Sequence, residues 1–141
     1  MAEGPVHRAL VHRLQTAVSA ALGPMAQGIV DRDGGYRDPT WMIGGAFPDV
    51  RAFGRGLEVI GEAKPPSDLE SPRSQRQIAK FMRYVEQLTN AHLVLSVQWH
   101  STPTAWNLLR RCASDWCAVR SKVHVLNGLS VLSLQTYPGH L

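Results

Sequence analysis

Asp49, Glu62 and Lys64 are the residues of this chain best suited to chemistry. They lie in PDVRAFGRGLEVIGEAK, residues 48–64, as Pro48-Asp49, twelve intervening residues, then Glu62-Ala63-Lys64. Two carboxylates and the Ala63 backbone carbonyl make an all-oxygen donor set. That set suits Mg²⁺ or Mn²⁺, since Mg²⁺ takes an octahedron of oxygens and keeps several of them as water. An ion so placed polarises a phosphoryl oxygen and lowers the pKa of its water. A neighbouring cation helps position that water or offsets developing negative charge. The choice of lysine is informative in a chain with twelve arginines and three lysines. An ammonium is a compact charge whose proton can leave, whereas a guanidinium keeps its protons.

The elements that must position these groups are a hairpin and the helix after it. If Arg55-Gly56 is a two-residue turn, Gly54 faces Leu57, Phe53 faces Glu58, and the pairing runs on until Asp49 faces Glu62. Directly opposed residues project to one face, and Lys64 lies two further along it. A slip of one residue would send Asp49 to the other face. The alternative for the trio is an ion pair at a sheet edge, which contributes little. Against it, Glu62 and Lys64 follow Val59-Ile60 and precede Pro65-Pro66, where a buried strand ends and a cleft can open.

Ser71-Pro72 marks an N-cap and first helical position. In the helix that follows, Ile78, Phe81, Met82, Val85 and Leu88 form an apolar stripe. Arg73, Arg76, Lys80 and Arg83 form a basic one, with Gln77 and Tyr84 on the boundary. Elsewhere, apolar spacing predicts a helix over Pro5–Leu22. A short strand is expected at Trp41-Met42-Ile43 and a buried strand over His92–Trp99. A helix over Pro103–Val119 and a hairpin over Val123–Leu134 around Asn127-Gly128 complete the chain. This order fits an α/β fold with a central mixed β-sheet flanked by helices.

Pro48-Asp49 and Glu62-Ala63-Lys64, followed by a basic helix with Gln77 and Tyr84, resemble the PD-(D/E)XK nuclease superfamily over about residues 41–99. The style is closest to small resolvase-like, VRR-type and restriction-type nuclease domains. The resemblance implies a restriction-endonuclease-like core in which Asp49, Glu62 and the Ala63 carbonyl hold Mg²⁺ or Mn²⁺ and Lys64 assists the attacking water. It also implies that Arg73, Arg76, Gln77, Lys80, Arg83 and Tyr84 face nucleic acid, DNA before RNA. The usual four-residue glutamine-to-tyrosine spacing is absent, because position 81 is Phe81 and the tyrosine is Tyr84. Related nucleases add an acid from the first helix. The nearest residue here is Glu3, before that helix, with His7 a poorer substitute.

A length of 141 residues fits one domain, taken as residues 1–141. With 44% hydrophobic and 18% charged residues the composition is that of a soluble globular protein. No apolar run reaches membrane-spanning length and the first residues lack the pattern of a secretory signal, so the cytoplasm is the expected location and a membrane partner is not expected. Net charge is +4, which favours an anionic partner. Cys112 and Cys117, five apart on an expected helix, diverge and stay free. Trp106 and Trp116 are assigned to the core, and His7, His12, His92 and His100 lack metal-ligand spacing. Three functions fit these readings: a metal-dependent nuclease, a non-catalytic nucleic-acid-binding module of the same fold, and a nuclease toxin or defence effector held by an inhibitory partner. A homodimer is common among resolvase-like relatives.

Overall fold

The computed structural model of the chain describes residues 4–27 and 41–134. Glu3 and the turn-rich stretch 31–40 lie outside them. Helix α1 spans Pro5–Leu22, with proline in its first turn and Gly23 (φ +86°) closing it. The hairpin follows as β1 (Val50–Gly54) and β2 (Leu57–Ala63). Then come a single turn of helix α2 (Pro66–Leu69), helix α3 (Pro72–Glu86) and strand β3 (Ala91–Ser96). A 3₁₀ turn at Trp99–Ser101 leads into α4 (Thr102–Cys112), α5 (Trp116–Val119) and β4 (Val123–Leu126).

The four strands form one mixed sheet in the order β1-β2-β3-β4, with β1 antiparallel to β2 and the other pairs parallel. As the element order implied, the architecture is α/β with helices on both faces. On one face α1 packs Leu14, Val18 and Leu22 against Val50, Ala52, Val59 and Val94. The approach is close at Gly61, where an added Cβ would stand 2.8 Å from a Leu14 methyl. On the other face Ile78, Phe81, Met82, Val85, Leu108 and Leu109 of α3 and α4 cover Ile60, Leu93 and Leu95. β2 and β3, the two inner strands, are buried at every residue. No helix among the described residues is long and apolar enough to cross a membrane.

Two contacts fix the direction of α3. Near its start Gln77 meets Lys64, just past the end of β2, and near its finish Tyr84 meets Glu58, near the beginning of β2. α3 therefore runs antiparallel to the strand it covers. α1 does the same, since His7 reaches Asp49 while Leu22 lies against Gly54 at the hairpin turn. The amino ends of both helices thus meet the carboxyl ends of β2 and β3.

Four expected elements differ. The strand expected over His92–Trp99 ends at Ser96, and Trp99 opens a 3₁₀ turn instead. Trp41-Met42-Ile43 is not a strand; Ile43 makes only an isolated bridge to Ala46 around a Gly44-Gly45 turn (φ +61° and +84°), a conformation open to glycine. The helix expected over Pro103–Val119 is two helices, because the chain breaks after Cys112 and restarts at Asp115, whose side chain caps α5 by accepting the Ala118 N–H. Glu86 Oε2 accepts the Ser114 and Asp115 amides exposed at the break, at 3.1 and 3.2 Å. The expected hairpin over Val123–Leu134 is a single strand, Val123–Leu126, which pairs in parallel with β3. Asn127 does turn the chain, its carboxamide oxygen accepting the Leu129 N–H, but residues 127–134 form no second strand. The two cysteines consequently sit on different helices, and both are free.

Candidate active site

The hairpin register is the one read from the turn. Gly54 pairs with Leu57, Phe53 with Glu58, and the ladder runs to Val50 with Gly61. Arg55 and Gly56 both have positive φ (+54° and +74°), as a two-residue hairpin turn requires. One step beyond the ladder, Asp49 and Glu62 replace strand hydrogen bonds with side-chain ones. The Asp49 N–H donates to Glu62 Oε1 at 2.9 Å, and the Ala63 N–H donates to Asp49 Oδ2 at 2.9 Å. The two carboxylates are thereby locked side by side.

Lys64 completes the cluster. Its Nζ donates to Gln77 Oε1 at 2.6 Å and stands 3.2 Å from Glu62 Oε2. Asp49, Glu62 and Lys64 are 2%, 1% and 5% exposed, so this is not an edge ion pair in water. Burial pushes the Glu62 carboxyl up, with the Asp49 charge adding and Lys64 opposing, to about 8. At Glu62, burial and the Asp49 charge together outweigh the Lys64 ammonium. That imbalance is what a divalent cation would relieve, and the hard oxygen donors fit Mg²⁺ or Mn²⁺. Among the described residues no three His, Cys, Asp or Glu side chains stand together at metal-ligating distances. A metal here would rest on Asp49, Glu62, the Ala63 carbonyl and water, and Mg²⁺ sites commonly hold only one or two carboxylates.

Two further residues join the cluster. His7 Nε2, from the first turn of α1, lies 3.3 Å from Asp49 Oδ2. The sequence had offered His7 only as a poorer substitute for an acid, because its position depends on how α1 docks across the sheet. Asp68 went unnoticed; its Oδ2 is 3.6 Å from Lys64 Nζ, and its Oδ1 accepts from the Ser71 hydroxyl at 2.9 Å. Partial burial works against its ionisation, but Ser71 and Lys64 outweigh it and hold the carboxyl below its ordinary range. Its four-residue spacing from Lys64, across Pro65-Pro66, was the available signal.

The basic stripe divides. Arg73, Arg76, Gln77 and Lys80 line a cleft of about 310 Å³ whose far wall is Gly45-Ala46-Phe47, the segment leading into Pro48-Asp49. Gly44 packs so closely on Lys80 that an added Cβ would come within 3.2 Å of its side chain. Gln77 belongs to both cleft and cluster. Arg83 is exposed outside the cleft, and its charge, with that of Arg111, acts on Cys112. Tyr84 is not brought to the site. Seven residues are almost two turns, about 10 Å along the axis, and Tyr84 instead donates to Glu58 Oε1 at 2.8 Å and accepts from Arg51 at 3.0 Å. Arg51 also pairs with Glu58 at 2.8 Å, which makes this a structural tie between α3 and the hairpin.

The remaining expectations concern aromatics. Trp106 and Trp116 pack edge to face against the core, with centroids 6.0 Å apart. His92 is buried and meets His124 across β3 and β4 at 3.0 Å, and His100 is exposed. Compared with protein-family models, curated proteins and solved structures, the chain matches none.

Proposed function

We propose that the chain is a metal-dependent nuclease of the PD-(D/E)XK type, hydrolysing phosphodiester bonds in nucleic acid, with DNA the substrate by resemblance. The observation that carries this is the buried Asp49–Glu62–Lys64 cluster, in which two carboxylates are locked side by side with an ammonium against one of them, beside a basic cleft. Bound between Asp49 and Glu62, Mg²⁺ or Mn²⁺ would supply phosphoryl polarisation and water activation. Lys64, held by Gln77, orients the attacking water and offsets the negative charge that builds on the phosphate. Arg73, Arg76 and Lys80 bind the flanking backbone, which gives affinity with little sequence preference. Water adds at phosphorus as one ester P–O bond breaks, and the departing oxygen leaves as an alcohol after taking up a proton.

The test is cleavage of plasmid and oligonucleotide DNA with Mg²⁺ or Mn²⁺ and with chelator, comparing wild type with Asp49→Ala and Lys64→Ala. Metal-dependent cleavage lost in both variants supports the reading. Equal cleavage by both variants would remove the site, and binding without cleavage under either metal would leave a nucleic-acid-binding module.

A further inference from the structure

Among the described residues Trp99 is the most exposed large aromatic. It is 66% exposed, whereas Trp106 and Trp116 are partly buried against the core. Its backbone is nonetheless firmly held. The Ser101 N–H donates to the Gln98 carbonyl at 2.9 Å, the Thr102 hydroxyl donates to the Trp99 carbonyl at 2.6 Å, and Asn127 donates to that hydroxyl at 3.1 Å. His100, also exposed, stands edge-on to the indole at 5.7 Å between centroids and 83° between planes. The indole is thus carried into solvent from an anchored backbone.

Its location gives that presentation a purpose. Ser96, the last residue of β3, accepts the Lys64 N–H at 3.0 Å. Trp99 follows three residues later, so at most about 11 Å of chain separates it from that point. Trp99 therefore leaves the chain at the same sheet end as Asp49, Glu62 and Lys64, and the basic cleft of α3 adjoins Lys64 through Gln77. Inside a duplex both faces of a base are covered by its neighbours. An unpaired base offers its face to an aromatic side chain without unstacking a duplex.

We propose that Trp99, with His100 at its edge, is a stacking platform for an unpaired base near the scissile phosphate, so that the preferred substrate is single-stranded nucleic acid or an unpaired flap. This rests on the phosphodiesterase reading of the Asp49–Glu62–Lys64 cluster. The rival occupant is a protein surface, since Leu129 and Val131 are exposed after β4. The basic cleft favours the nucleic acid, and self-association is measured beside it.

The experiment uses the full chain in chelator, with a labelled oligothymidylate and a mixed-sequence duplex of equal length, read by anisotropy and by quenching of indole fluorescence. Trp99→Ala is expected to weaken single-strand binding by roughly 5- to 150-fold while duplex affinity stays within about twofold. Trp99→Tyr should recover most of the loss, and the oligothymidylate should quench wild type more than Trp99→Ala. Unchanged melting temperatures establish that the variants fold. Equal single-strand affinity in wild type and Trp99→Ala overturns the proposal. So does an equal loss on duplex, or loss of self-association in sedimentation with nucleic-acid binding intact. Binding and quenching by a wild type that cleaves with neither Mg²⁺ nor Mn²⁺ overturns the hydrolase reading alone. Metal-dependent cleavage with single-strand affinity unaffected by Trp99→Ala overturns the stacking platform alone.

Discussion

Replacing Glu62 with glutamine tests the electrostatics of the cluster without requiring turnover. The folded carboxyl titrates near 8 instead of its ordinary 4.5, chiefly because it is buried and then because Asp49 is charged. An acid raised in this way keeps its proton in the folded chain and loses it in the unfolded one between those pH values. Stability therefore falls as pH rises from 4.5 to 8. At about 1.4 kcal/mol per tenfold change in ionisation, the full penalty is at most about 5 kcal/mol above pH 8, and it vanishes below 4.5. Glutamine keeps an acceptor for the Asp49 N–H and adds no charge. Urea unfolding in chelator should show the variant close to wild type at pH 5 and more stable by a few kcal/mol at pH 8. Mg²⁺ should then stabilise wild type at pH 8, through preferential binding to the folded chain, and leave the variant almost unmoved. A stability difference that does not change with pH would refute the reasoning, because no uncompensated carboxylate would then exist to attract the metal.

Gln77→Ala removes the 2.6 Å acceptor of Lys64 Nζ. It should lower kcat by about 10- to 100-fold with KM within about twofold, as misplacing a positioned group does, and steady-state cleavage kinetics check this. Neutralising Arg73 and Arg76 together, both in the 310 Å³ cleft, should reduce the slope of log binding constant against log salt by about 2; anisotropy titrations across a salt series measure it. Gly61→Ala drives a Cβ to 2.8 Å from Leu14. It should destabilise the chain by about 1–3 kcal/mol through overpacking, as read from urea midpoints.

What was legible in the sequence was local. The Arg55-Gly56 turn sets the β1–β2 pairing with no help from the rest of the chain, so Asp49 could be placed opposite Glu62 before any tertiary structure was known. The helical period and Ser71-Pro72 did the same for α3, where Ser71 accepts the Ser74 N–H. What was hidden depends on distant contacts. Val123–Leu126 looks like one arm of a hairpin because Asn127-Gly128 follows it, but its partner is β3, some thirty residues earlier in the chain. The break between α4 and α5 is fixed partly by Glu86, a residue of α3. His7 meets Asp49 only because α1 crosses the sheet. Tyr84 shows the limit of face-sharing: it lies on the same side of α3 as Gln77 and serves the opposite end of β2.

The hairpin turn begins six residues from Asp49 along β1, about 20 Å of strand, far from the Asp49–Glu62–Lys64 cluster. It nevertheless decides whether Asp49 and Glu62 meet, because their meeting is a matter of counting residues from the turn and not of complementary shape. Such a site tolerates drift in the letters between the two acids far better than any change in their number. A single residue inserted between Arg55 and Gly56 would leave a folded chain with its acids out of step, whereas many substitutions along the outer strand would leave their pairing untouched.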